Sequence, residues 1–262
     1  MSAGPPPPYR LLSVAISNGC DLMRWLLDRA GLDFEEELHV PLLHIFATWP
    51  RGAGVEVPVI LAPGTLWKGP FGQLDAIDGH APAGAKVYGD TLEERLENNA
   101  WLRQIFPSFF GFPRQYVYHF VLKDRRVMTP IAIHGAPWWE RMVVRWLYFL
   151  WEPLLRRGLG ITPQVVADAP AALAKGLDAV AAELGRRGTP FLAGDAPGGV
   201  DIVMAALIAP LVFPPEYGGM APPLDEVAPV LRDWVLANRT HPAGAYALAV
   251  YAQNRPHYRG LP

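Results

Sequence analysis

What most constrains this chain is a change of periodicity near Asp90. Before it, short runs rich in Val, Ile and Leu alternate with turn residues. After it, long stretches rich in Leu, Ala, Arg and Trp repeat at helical spacing. Short runs punctuated by turns read as strands with intervening helices, and long periodic stretches as amphipathic helices, so an α/β unit followed by an all-α unit is expected. A chain of 262 residues, 51% of them hydrophobic, can bury cores for both. The α/β domain is placed at residues 9–85 and the helical domain at 90–253. A Pro-rich disordered leader precedes them at 1–8, and an extended tail follows at 254–262.

Within the first domain, residues 9–16 read as a buried strand ended by Ser17-Asn18-Gly19. Residues 21–30 read as a helix stopped by Gly31, and 33–40 as a second strand. A loop with one helical turn covers 41–54. Residues 55–61 form a strand interrupted by Pro58, Pro63-Gly64 turns the chain into Thr65-Leu66-Trp67, and a helix follows over 71–77. Thr91 caps a helix running from Leu92 toward Ile105, bent near Pro107. Further helices are expected over 114–122, 137–157, 170–187, 201–211, 227–238 and 243–252. In the helix over 137–157, Trp139, Val143, Trp146, Leu147, Leu150 and Trp151 are expected to form the inner face.

A net charge of −2 and basic clusters scattered over separate segments exclude a nucleic-acid footprint. The most apolar stretch is too short and too charged to span a bilayer. Cys20, the only cysteine, rules out an intramolecular disulfide and points to a reducing, cytoplasmic compartment. No serine lies in a G-x-S-x-G context, the seven histidines form no close ligand pair, and no phosphate loop is found, so esterase, metal and nucleotide chemistry lack support.

Three marks in order resemble the glutathione transferase family. Ser17-Asn18-Gly19-Cys20 precedes Arg24-Trp25-Leu26-Leu27, Val57-Pro58-Val59-Ile60 precedes Gly64-Thr65, and residues 191–202 read Phe-Leu-Ala-Gly-Asp-Ala-Pro-Gly-Gly-Val-Asp-Ile. The last is similar to the helix-start motif of the family's second domain. In physical terms, Gly198 stands at the cap, Asp201 can reach back to the cap amide, and Pro197 and Ile202 are spaced as a hydrophobic staple. The resemblance implies a thioredoxin-like N-terminal domain, a glutathione-transferase-type helical domain, glutathione as co-substrate, a small hydrophobic electrophile as partner, and a homodimer.

It also implies site residues. A donor at a helix N-terminus stabilises a sulfur anion, and Ser17, with Asn18 beside it, stands where serine-type members bind the glutathione thiolate. Cys20 falls at the second position of a C-x-x-C-like turn; as a buried small hydrophobe it would be inert, and as a thiolate it would make a monothiol oxidoreductase. A cis Pro58 would expose the Val57 backbone to the cysteinyl part of glutathione. Where the family commonly has Glu/Asp-Ser for the γ-glutamyl group, this chain has Gly69-Pro70, leaving Lys68 as a substitute charge. That departure motivates the alternative of a glutathione-independent binding or biosynthetic protein on the same scaffold. A second pocket is expected against the aromatic segment of Phe106, Phe109, Phe110, Phe112, Tyr116, Tyr118 and His119, with Phe106, Phe110, Tyr116 and His119 touching substrate.

Overall fold

The computed structural model describes residues 8–261, so the leader expected at 1–8 lies almost wholly outside the described residues. Strand β1 (Tyr9–Val14) pairs in parallel with β2 (Phe34–His39), and helix α1 (Asn18–Arg29) makes the crossover. A parallel pair needs such a connection. Gly31, at φ 68°, lets the Leu32 N–H return to the Leu27 carbonyl at 3.0 Å and ends α1 sharply. A short helix α2 (Ile45–Thr48) and a 3-10 turn at Trp49–Arg51 fill the loop. Strand β3 (Val59–Ala62) then pairs antiparallel with both β1 and β4 (Thr65–Trp67), giving the order β2-β1-β3-β4, and α3 (Pro70–His80) closes the domain. The third strand begins only after Pro58, later than the expected 55–61, because proline donates nothing to the ladder.

The helical part comprises α4 (Leu92–Phe109), α5 (Phe112–Val121), α6 (Arg125–Ala132), α7 (Trp138–Gly158), α8 (Pro163–Arg187), α9 (Gly199–Val212), α10 (Pro229–Thr240) and α11 (Pro242–Asn254). Thr91 caps α4: its hydroxyl accepts from the Glu94 N–H at 3.2 Å while the Glu94 carboxylate accepts from the Thr91 N–H at 2.9 Å. Helix α8 starts at Pro163 behind the cap Thr162, with Pro170 in its interior rather than at its start, and α6 is an element the sequence pattern does not suggest. Helix α9 is apolar on every side and buried along nearly its whole length, so it occupies the centre, against α1, α4, α5, α10 and α11.

Two further departures matter. The inner face of α7 is Glu140, Val144, Tyr148, Trp151 and Leu155; Trp146, Leu147 and Leu150, expected inside, are exposed, and Trp139 and Val143 are not in the core either. Polar anchors set this rotation. The buried Glu140 carboxylate accepts from the Val40 N–H at 2.6 Å and pairs with His39 Nδ1 at 2.7 Å. Tyr148 donates to the Leu122 carbonyl at 2.8 Å, and Trp151 Nε1 to the Pro41 carbonyl at 2.8 Å. The tail is not extended either. A 3-10 turn at Arg255–His257 buries Arg255, whose guanidinium donates to Asp21 at 2.8 Å and to the carbonyls of Tyr258 and Arg259.

Candidate active site

The turn after β1 places Ser17 at the N-cap of α1, with extended backbone at φ −77° and ψ 123°. Its Oγ accepts from the Cys20 N–H at 3.3 Å, which leaves the hydroxyl proton free to donate elsewhere. Ser17 is half-buried. Its neighbours have other tasks. The Asn18 side chain donates to the Ala206 carbonyl of α9 at 2.9 Å, fastening the two halves of the molecule at the site. Cys20 is fully buried, its sulfur accepts from the Val14 N–H at 3.3 Å, and burial pushes its thiol up to about 11. A thiol so placed stays protonated near neutral pH and presents no nucleophile.

The Val57–Pro58 peptide is cis. Pro58 lies against the Ser17 turn, since a Cβ on Gly19 would stand 3.4 Å from Pro58 Cδ and 3.6 Å from Ser17 Oγ. Gln73 Nε2 donates to the Pro58 carbonyl at 2.6 Å. The Val57 residue is half-buried and lies outside the ladder of β3, which begins two residues on. At the head of α3, Gly69 adopts φ 70° and ψ 147°, a conformation open to glycine, and Pro70 occupies the first turn. The Gly69 N–H donates to the Glu56 carboxylate at 2.8 Å. Lys68 donates to the Gly52 carbonyl at 3.3 Å. Thus the chain's own carboxylate, from a residue the sequence reading did not single out, sits on the amide that opens α3.

Ser17 and Asn18 border a pocket between the two halves that is partly open to solvent. Helix α5 contributes Arg114, Val117 and Tyr118; α9 and the segment after it contribute Ala209, Pro210, Phe213, Tyr217 and Met220. Of the expected aromatic segment, Tyr118 lines the pocket, and the other named residues do not. Tyr116 packs on Trp234 at 4.5 Å between ring centroids, Phe106 stacks with Phe110 and meets Phe71 at a tilt, and Phe110 points to solvent. His119 lies beside Lys123 and Arg156; burial and those two cations hold it below its ordinary value. None of these four borders the pocket.

Residues 213–222, which the sequence reading missed, form the pocket's outer wall. Phe213 ends α9 in a left-handed conformation at φ 45° and ψ 68°. Tyr217 Oη donates to the Ile16 carbonyl at 3.1 Å and the Met220 N–H to the Ala15 carbonyl at 2.8 Å, tying the wall to the Ser17 turn. The Gly218 carbonyl accepts from Arg24 at 3.2 Å and from the Leu261 N–H at 2.9 Å. A Cβ on Gly218 would fall 1.7 Å from Arg255 Nη2, so only glycine fits over this buried charge cluster. Pro214-Pro215, Gly218-Gly219 and Pro222-Pro223 are the one signal of this wall in the sequence: they mark a loop, though not where it lands.

A four-stranded mixed sheet joined to a helical bundle, with a hydroxyl-capped helix N-terminus opening onto the cleft between them, defines a protein of the glutathione S-transferase fold: a thioredoxin-like domain followed by a helical domain. Residues 163–237 match the family described as Glutathione S-transferase, C-terminal domain. The chain is similar to a glutathione S-transferase of Methylobacillus flagellatus solved with GSH bound, at 11% identity and TM-score 0.57, covering 97% of this chain and 100% of that one. It is similar also to a glutathione S-transferase of Xanthobacter autotrophicus (18% identity, TM-score 0.53, 94% and 93% covered). A third similar structure is Ure2p5 of Phanerochaete chrysosporium, cocrystallised with 1-(S-glutathionyl)-2,4-dinitrobenzene (16%, TM-score 0.52, 96% and 97%). Comparison with curated protein sequences gives no match.

Proposed function

We propose that this chain is a glutathione-dependent transferase in which Ser17 activates the thiol for attack on a small apolar electrophile held in the cleft. The observation that carries this reading is the Ser17 hydroxyl itself: capping α1, half-exposed, and bordering a pocket lined by both halves. The hydroxyl donates to the sulfur while its lone pair accepts from the Cys20 N–H, and the positive end of α1 favours the anion. Together these lower the thiol pKa from about 8.5, so the proton passes to solvent and the sulfur pair forms the new C–S bond while the electrophile's leaving group departs with its bonding pair. Pro58, packed on the same turn, puts the Val57 backbone within the site as the edge on which the peptide is held. Ile16, Val117, Phe213 and Met220 supply an apolar seat for the electrophile, and Arg114 supplies a cation beside it. GSH in the Methylobacillus flagellatus structure supports this choice of thiol. Domains at 9–85 and 90–253, a homodimer and a cytoplasmic location complete this reading.

Calorimetric titration with glutathione into the millimolar range tests it. Saturable binding that weakens about tenfold in Ser17→Ala, the loss of one charge-assisted hydrogen bond, together with turnover on a model electrophile that falls in the same variant, is the expected result. Neither binding nor turnover in the wild type would reject it.

One observation favours a second reading, in which the scaffold serves a ligand other than glutathione. The Glu56 carboxylate occupies the Gly69 N–H, where a γ-glutamyl carboxylate would otherwise be received. If Glu56 blocks that position, Glu56→Gln strengthens glutathione binding; if the site has changed ligand, both proteins stay silent to glutathione while an apolar probe still enters the cleft.

A further inference from the structure

Helix α7 is apolar on two opposite sides. Its inner side is packed, whereas Trp138, Met142 and Trp146 before a kink at Leu147 (φ −114°, ψ 27°), and Phe149, Leu150 and Leu154 after it, face solvent. Trp138, Trp146 and Phe149 are 70%, 72% and 69% exposed. The surface continues onto the first domain, where Phe46 and Trp49 are 69% and 65% exposed and the Phe46 ring meets that of Trp139 edge-on at 6.0 Å. A contiguous apolar surface of this kind marks an interaction site. None of these residues borders the Ser17 pocket, so the proposed chemistry does not account for them.

The charges around the ridge select its occupant. Residues 123–157 hold seven Lys or Arg against three Asp or Glu, in a chain whose net charge is −2. Each of the three acids is engaged: Glu140 is buried against His39 and Val40, Glu152 pairs with Arg156 at 2.7 Å, and Asp124 accepts from the Arg126 N–H at 2.8 Å. Arg141, Arg145 and Arg157, with Arg125 and Arg126 at the head of α6, remain as exposed cations along its margins. Indole rings settle at the boundary between lipid headgroups and acyl chains, and arginines beside them extend to phosphates. A second copy docked through this patch would repeat the same arginine-rich margins on both sides, setting cation against cation.

We propose that the outer face of α7, with Phe46 and Trp49, is a docking surface for an anionic phospholipid bilayer. The helix lies in the plane of the interface with its aromatic ridge in the headgroup layer. It does not cross: no helix among the described residues is long and apolar enough to do so.

Flotation of the full chain with vesicles of phosphatidylcholine, with and without phosphatidylglycerol, tests this, tryptophan emission being read in parallel. The expected result is partition onto the phosphatidylglycerol vesicles with a blue shift, weakened by salt. Partition should fall by more than about tenfold in Trp146→Glu/Leu150→Glu, through lost insertion, and likewise in Arg141→Glu/Arg145→Glu, through lost attraction. All four side chains are exposed, so both variants keep the wild-type unfolding midpoint, and the charge variant leaves the apolar ridge whole. Absence of partition overturns the proposal, as does partition undiminished in both variants. So does a sedimentation profile in which the Trp146→Glu/Leu150→Glu change splits a stable dimer while wild type ignores lipid, which would assign the ridge to a second copy.

Discussion

Replacing Asp201 by alanine tests how the helix that carries half of the cleft is anchored. The Asp201 carboxylate is fully buried and accepts four hydrogen bonds: from the N–H groups of Leu192 at 2.7 Å, Ala193 at 3.1 Å and Gly198 at 2.8 Å, and from Tyr246 Oη at 2.7 Å. In Asp201→Ala, Ala193 and Gly198 lie near enough to the surface to recruit water, but the Leu192 N–H and the Tyr246 hydroxyl are buried and stay unpaired. Each such orphan costs about 1–3 kcal/mol, so the loss is about 4 kcal/mol, or roughly 10 °C in unfolding midpoint for a chain of this size. Asp201→Asn keeps an acceptor oxygen yet turns an amide toward those donors, and should lose about half as much. Urea denaturation followed by circular dichroism reads both. A loss below about 1 kcal/mol in Asp201→Ala at unchanged urea slope would refute the claim that this carboxylate holds the 191–201 turn together. The consequence reaches the site, because α9 supplies the Ala206 carbonyl that receives Asn18 and the Ala209-Pro210 wall.

Other outcomes follow from the same geometry. Asp21 accepts from Arg24 at 3.0 Å, Arg255 at 2.8 Å and Tyr251 at 3.2 Å, so Asp21→Ala leaves the buried Arg255 guanidinium with carbonyl partners but without its carboxylate. It should cost about 4 kcal/mol, against about 3 for Arg255→Ala, after which Asp21 still has Arg24; urea midpoints give the ranking. Glycine at 199 is required by space: a Cβ there would stand 2.4 Å from the Lys86 carbonyl oxygen and 2.5 Å from Val87 Cα, both backbone. Gly199→Ala should therefore lose at least about 2 kcal/mol by the same measurement. Burial alone would lower the His39 pKa, but the hydrogen bonds and charges of Glu140 and Glu37 outweigh it and hold the imidazole above its ordinary value of about 6.5. A raised folded-state pKa gives stability that is complete below the unfolded value and lost as pH rises through the folded one. The gap in melting temperature between wild type and His39→Gln should accordingly be widest in mild acid and narrow toward alkaline pH. If Arg114 recognises substrate, Arg114→Ala lowers kcat/KM for an anionic electrophile and leaves a neutral one of the same size unaffected.

Whatever depended on neighbours in the chain was legible. The order of strands and helices through Trp67, the Thr91 cap and the Pro63-Gly64 hairpin each rest on a few adjacent residues whose backbone preferences decide the matter. What escaped depended on which side of an element meets the rest. Segment 125–132 spends only eight residues on its helix, with Pro130 inside, and offers too short a period to detect. On α5 the aromatic residues crowd every side, and only docking against α8 and α9 decides that Tyr118 turns to the cleft while Tyr116 turns to Trp234.

Helix α7 shows why counting apolar area misleads in such cases. Both of its sides would gain from burial, so the hydrophobic term barely distinguishes two rotations half a turn apart. A carboxylate, a phenol and an indole N–H do distinguish them, because each costs free energy when buried without a partner and each finds one here: Val40 and His39, the Leu122 carbonyl, and the Pro41 carbonyl. The polar minority therefore fixes the rotation and sends the more aromatic side outward. A buried Glu140 beneath an exposed Trp138 and Trp146 is thus one fact, and it ties the packing of β2 and its following loop to the surface that meets the outside world. Removing that anchor should act on both. Glu140→Ala is expected to destabilise the fold by about 3 kcal/mol through the unpaired Val40 N–H and His39, and also to loosen the register of the ridge, weakening vesicle binding without altering any residue on it.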